Sequence, residues 1–130
     1  MLNIPIPVIV NLQKSNNILI MGMGGGFDVF AGLPLYFTLE KMGMKVHLAN
    51  YTHANWDAFD NHVETIPMAS GCIGVTGNIH QASENMPEAY LASWFRDVKE
   101  QDVPVWTFKR DQSVKEYSKS LDVLQEHLMT

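Results

Sequence analysis

An α/β fold with a mainly parallel sheet of about three to five strands is predicted by three features of this 130-residue sequence. Short, almost wholly apolar runs alternate with amphipathic ones, as they do when strands buried on both faces are joined by helices. A glycine-rich string, Gly22-Met23-Gly24-Gly25-Gly26-Phe27-Asp28, separates the first strand-like run from the first helix-like run. The connection onward to the second strand-like run is short enough for a βαβ crossover. Together these describe a Rossmann-like, three-layer domain, with residues 1–130 forming one unit.

The elements follow in chain order. Ile18-Leu19-Ile20-Met21 is an apolar run suited to a doubly buried strand, and it stops at the glycines. From Asp28 to Met42 the residues Val29, Leu33, Phe37 and Leu39 mark a helix, closed by Gly43 where a left-handed residue is commonly needed. Pro34 costs a backbone hydrogen bond inside a helix, so regular helix starts near Gly32 and Leu33 or bends there. Lys45 to Asn50 reads as the second strand. Tyr51 to Asn85 is mixed, with Val63–Ile66 and Cys72–Val75 as possible short strands; a stretch this long without periodicity reads as an active-site lid or a flexible excursion.

Asn85 followed three residues later by Glu88 has the form of a capping box, and Tyr90, Leu91, Trp94, Phe95 and Val98 then repeat at helical spacing. Val103 to Phe108 is the third clear strand, with Pro104 tolerated near its start and Lys109 and Arg110 at its exit. Ser113 caps a last helix whose Val114, Tyr117, Leu121, Leu124 and Leu128 form a narrow apolar stripe.

Nine Lys and Arg against fourteen Asp and Glu give a net charge of -5, with no basic block, which argues against nucleic acid and anionic membrane as partners. Met1 to Val10 is apolar but carries Pro5 and Pro7 and lacks a basic leader, so it reads as neither a signal peptide nor a membrane span. One cysteine, Cys72, permits no internal disulfide, and a cytoplasmic location is expected.

Ligands of open parallel sheets bind beyond the carboxyl ends of the strands. Three such exits carry the candidate residues: Gly22, Gly24, Gly25, Gly26 and Phe27 with Asp28; Asn50, Thr52 and His53; and Lys109 with Arg110. Glycines let a backbone approach a ligand and turn its amides inward, next to a helix start that favours an anion. The string is neither the dinucleotide fingerprint, since Phe27 stands where its third glycine belongs, nor a P-loop, since no Gly-Lys-Ser or Gly-Lys-Thr occurs. Asn50 replaces the acid that would hold a ribose hydroxyl.

Asp28 has two readings: a helix cap, or a catalytic residue that orients a hydroxyl or metal-bound phosphate or acts as a base. Lys109 and Arg110 are solvated, or they clamp an anion. The histidines lack metal-ligand spacing, Asp57, Asp60 and His62 read as a polar loop, and Cys72 as buried and inert.

The run from Ile18 through Leu35, with Gly22-x-Gly24-Gly25-Gly26-Phe27-Asp28-Val29-Phe30-x-Gly32-Leu33-Pro34, and then Val46-His47-Leu48-Ala49-Asn50, resembles the family called domain of unknown function 1152. Pro87-Glu88-x-Tyr90-Leu91-x-x-Trp94 and Phe108-x-Arg110 resemble later segments of that family. The resemblance implies a Rossmann-like fold and a ligand site at the glycines, without an established reaction. It also implies a pattern continuing into a second glycine- and aspartate-rich motif and a Gly-Asp-Glu segment, so the chain resembles an N-terminal half or a shortened relative.

The function expected is therefore binding of a small anionic ligand, a nucleotide with or without a divalent metal, or a phosphorylated metabolite, at residues 22–28. The alternative is a non-catalytic assembly or regulatory module that forms a homo-oligomer, or pairs with a C-terminal half, through its sheet edge or its Trp94 and Phe95 helix.

Overall fold

The computed structural model describes residues 17–22, 28–81 and 86–129, Asp28 by its backbone alone. Met1 to Val10, Met23, Gly24, Gly25, Gly26, Phe27 and Asn85 lie outside the described residues. The chain is an α/β protein around a five-stranded mixed sheet. In chain order come β1 (Asn17–Gly22), α1 (Asp28–Ala31), α2 (Leu33–Lys41), β2 (Lys45–Tyr51), a 3-10 turn (Trp56–Ala58) and α3 (Phe59–His62). Then follow β3 (Val63–Ala69), β4 (Cys72–Ile79), α4 (Pro87–Val98), β5 (Val105–Phe108) and α5 (Val114–Met129).

The strand order is β1-β2-β5-β4-β3. β1, β2 and β5 run parallel, with Gly22 opposite Asn50 and Asn50 opposite Thr107. β4 is antiparallel to β5 and β3 to β4, with bulges between Val63 and Thr65 and between Pro67 and Ala69. Pro67 lies on β3, an edge strand, the place in a sheet where proline is tolerated.

The hairpin corrects the expectation of a lid or flexible excursion over Tyr51 to Asn85. Val63–Ala69 and Cys72–Ile79 within that segment are sheet, turned at Ser70-Gly71, and Lys109 N donates to Gly71 O at 2.9 Å, which fastens the hairpin tip to the exit of β5. Val63–Ile66 and Cys72–Val75, expected as possible short strands, fall within β3 and β4, and Gly74 and Gly77 interrupt the apolar pattern of β4. A side chain at Gly74 would meet the Trp106 ring at 2.8 Å, and one at Gly77 would meet the Ala92 carbonyl oxygen at 2.9 Å. Both are positions of close approach, where bulk is excluded.

Alternation along the strands sorts the core. Ile20, Val46, Leu48 and Val105 face α1, α2 and α4 through Val29, Tyr36, Leu91 and Phe95. Leu19, Met21, Ala49, Trp106 and Phe108 pack with Cys72 and with Tyr117, Leu121 and Leu124 of α5. Phe59 and Val63 join Val75, Met86 and Ala89 in a third cluster under the β3–β4 hairpin. Fully buried side chains of this size contribute about 1.5–3 kcal/mol each.

Pro34 sits in the first turn of α2, so helix begins afresh at Leu33, the first of the two arrangements its position allowed. Gly43 has φ 85°, the left-handed conformation expected after the helix. Ser113 Oγ accepts from Glu116 N and donates to the Glu116 carboxylate, capping the start of α5. Among the described residues no helix is long and apolar enough to cross a membrane.

Candidate functional site

The carboxyl ends of the three parallel strands lie side by side. β1 ends at buried Gly22, β2 runs through Asn50, and β5 ends at Phe108 before Lys109 and Arg110. Gly22 and Asp28, the ends joined by residues 23–27, therefore belong to the same end of the sheet as Asn50. Asp28 opens α1 as its first helical residue.

Asn50 is 1% exposed, in a strand stretch otherwise filled by Leu48 and Ala49. Its Nδ2 donates to Glu88 Oε1 at 3.0 Å. Glu88 lies in the first turn of α4 and is 0% exposed. Asn50 Oδ1 and Glu88 Oε2 have no hydrogen-bond partner among the described residues. Most buried polar atoms in folded proteins are partnered, and a lone one costs about 1–3 kcal/mol, more when charged. Two unpartnered acceptors on adjoining side chains at the head of a parallel strand mark this place chemically.

Sequence reasoning selected Asn50 but missed Glu88, which it assigned to a capping box with Asn85. The N-cap of α4 is Met86, with no side-chain cap, and the Glu88 carboxylate turns to β2 instead. Pro87 at the helix start supplies the preformed first turn that Asn85 was expected to secure.

Thr52 is buried, and local bonds occupy it: its N–H donates to Phe108 O at 3.0 Å and its Oγ1 accepts from Ala54 N at 3.0 Å. These tie the exits of β2 and β5 together. His53 is exposed, and Arg110 Nη1 donates to its Nδ1 at 3.2 Å. Tyr51 Oη donates to the Arg110 carbonyl. His53 thus bonds the guanidinium of Arg110 and Tyr51 its backbone, which ties Arg110 to β2 and its continuation. Lys109 is half-buried, with its backbone bound to Gly71. Gln112 Nε2 donates to both Gly71 O and Lys109 O, bracing the same turn.

Other titratable groups are structural. Burial pushes the Cys72 thiol up to about 12, which removes thiolate at neutral pH. His47 Nε2 lies 2.8 Å from Asn17 Oδ1, and burial, then Lys45 and His127, hold its pKa below 6.5. Asp60 accepts from Thr65, and His62 Nδ1 faces the Gln81 carbonyl. No three His, Cys, Asp or Glu side chains converge as a metal site among the described residues.

Comparison with family models, curated proteins and solved structures finds no match to this chain.

Proposed function

We propose that the chain is a Rossmann-like, three-layer domain that binds a nucleotide or phosphorylated metabolite at the glycine-rich turn, residues 22–28. The observation that carries this reading is the neighbourhood of Gly22, the half-satisfied Asn50–Glu88 pair and the Arg110 guanidinium at the carboxyl end of one parallel set of strands. Carboxyl ends of parallel strands are where such sheets bind ligands. In this arrangement backbone amides of Gly24, Gly25 and Gly26 receive the phosphate, Arg110 and Lys109 counter its charge, and Asp28 orients a hydroxyl or a metal-bound oxygen. The resemblance to domain of unknown function 1152 points to the same turn. A cytoplasmic location completes the proposal.

Isothermal calorimetry with ATP, AMP and ribose 5-phosphate tests it. Gly25→Val and Arg110→Ala are expected to weaken the ligand that binds by at least about tenfold, the worth of a charge-assisted contact. Silent titrations on folded protein with all three probes defeat the reading.

One observation favours an assembly role as a second reading. Tyr90, Trp94 and Val98 repeat along α4 and are 42%, 37% and 60% exposed, an apolar stripe on an otherwise amphipathic helix. Light scattering would then detect an oligomer lost on Trp94→Glu and unaffected by Gly25→Val; monomer at all concentrations refutes it.

A further inference from the structure

We propose that Asn50 Oδ1 and Glu88 Oε2 form a paired acceptor for the vicinal hydroxyls of a sugar, so that the ligand is a ribonucleotide or a phosphorylated sugar with an intact diol. This rests on the phosphate-binding reading of the glycine turn above.

Asn50 spends its donor on Glu88 Oε1, and a carboxylate has no donor, so the two unpartnered atoms are both acceptors. A phosphate or carboxylate presented here would be repelled; the group that belongs here brings hydrogens. Two donors are wanted at once, because the Nδ2–Oε1 bond at 3.0 Å fixes the two side chains against each other. A vicinal diol supplies two O–H groups at fixed spacing without bringing a charge. At 1% and 0% exposure, neither side chain has bulk water to replace a missing partner, which raises the worth of each donor.

In dinucleotide-binding sheets an acid at the end of the second strand holds the ribose hydroxyls. Here Asn50 occupies that end, opposite Gly22, and cannot supply the charge. Glu88 supplies it from α4, a different element. The carboxylate stands in the first turn of a twelve-residue helix, whose N-terminal dipole favours a negative charge. A diol at Asn50–Glu88 would lie at the strand exit next to the end of β1, where Gly22 pairs with Asn50.

The test compares matched probes on the unaltered protein by calorimetry: ATP against 2′,3′-dideoxy-ATP, and ribose 5-phosphate against O-phosphoethanolamine. Loss of both hydroxyls is expected to cost about 10- to 100-fold in affinity. Glu88→Gln should weaken ATP by a similar factor and leave dideoxy-ATP unchanged, which a merely structural residue would not do. Equal binding of ATP and dideoxy-ATP overturns the inference while leaving the phosphate site standing. Preference for O-phosphoethanolamine over ribose 5-phosphate overturns it in favour of an ammonium ligand. If no phosphorylated probe binds folded protein, the reading of the turn falls and this inference falls with it.

Discussion

Replacing Asn50 and Glu88 by leucine, singly and together, asks whether the buried pair serves the fold or is carried at the fold's expense. Asn50→Leu removes the 3.0 Å bond from Nδ2 and leaves the Glu88 carboxylate, 0% exposed, with no partner for either oxygen. That costs about 3 kcal/mol, the upper end for an orphaned buried polar group because this one is a carboxylate. At roughly 3–4 °C per kcal/mol for a chain of this size, the melting temperature drops by about 10 °C. Glu88→Leu strands a neutral amide and costs less, about 1–2 kcal/mol. The double variant leaves no orphan, and its leucines extend the apolar cluster of Leu48 and Leu91. Substitution of a buried polar pair by apolar residues is neutral or stabilises by about 1–4 kcal/mol. The singles therefore sum to a loss of roughly 4–5 kcal/mol, while the double variant matches or exceeds the parent. Urea unfolding followed by tryptophan fluorescence, with the slope unchanged, measures all four proteins. A double variant that loses the sum of the singles refutes the reasoning, because the two side chains would then be independently satisfied.

Three further outcomes follow from other parts of the molecule. Gly77→Ala places a methyl 2.9 Å from the Ala92 carbonyl oxygen, so α4 must move off β4 at a cost of about 1–3 kcal/mol in urea unfolding; an unchanged midpoint shows that α4 does not press on the strand there. His47 has a folded pKa below 6.5, so the unfolded chain takes up its proton first and stability falls as the pH drops below that value toward the folded pKa. His47→Gln should reduce the difference between urea midpoints measured at about pH 7.5 and about pH 5.5, and an undiminished difference assigns it to other groups. Cys72, buried and with its thiol raised to about 12, should resist Ellman's reagent in the native protein and react fully in guanidinium; rapid native labelling contradicts its burial.

What the sequence displays plainly is whatever local physics decides. Ile18 to Met21 and Lys45 to Asn50 are strands because their apolar runs need burial on both faces. Pro34 called for a helix start or a bend and stands in a first helical turn, and Gly43 follows the helix in the left-handed conformation expected there. Ser113 and Glu116 satisfy each other within one turn, so their cap was readable. The β3–β4 hairpin was legible only in part: Val63–Ile66 and Cys72–Val75 stood out as short strands and lie within β3 and β4, but the lengths and pairing of these strands are shaped by distant partners. Gly74 is small on account of Trp106 and Gly77 on account of Ala92, and each glycine erases an apolar position from the pattern. Ser70-Gly71 between the two runs is the turn that joins them. That the hairpin would lie antiparallel on β5 depends on pairing Cys72 with Phe108 across the chain, which no local pattern encodes.

The candidate site divides along the same line. Asn50 was visible because a polar residue ending a buried strand has no local reason to be there. Glu88 was hidden because an acid in the first turn of a helix has an ordinary one, the helix dipole, and fourteen acids compete for notice. A cap at the helix start would have left Glu88 in water at no cost; instead it is fully buried with one bond to Asn50. Natural sequences break their own local rules chiefly where function demands it. Here two departures, a polar strand end and a buried helix-start acid, meet at one hydrogen bond beside the end of β1. Their meeting is more informative than either residue alone, because a cost repeated at one point in the fold needs one offset, and a ligand donor reaching both oxygens would supply it.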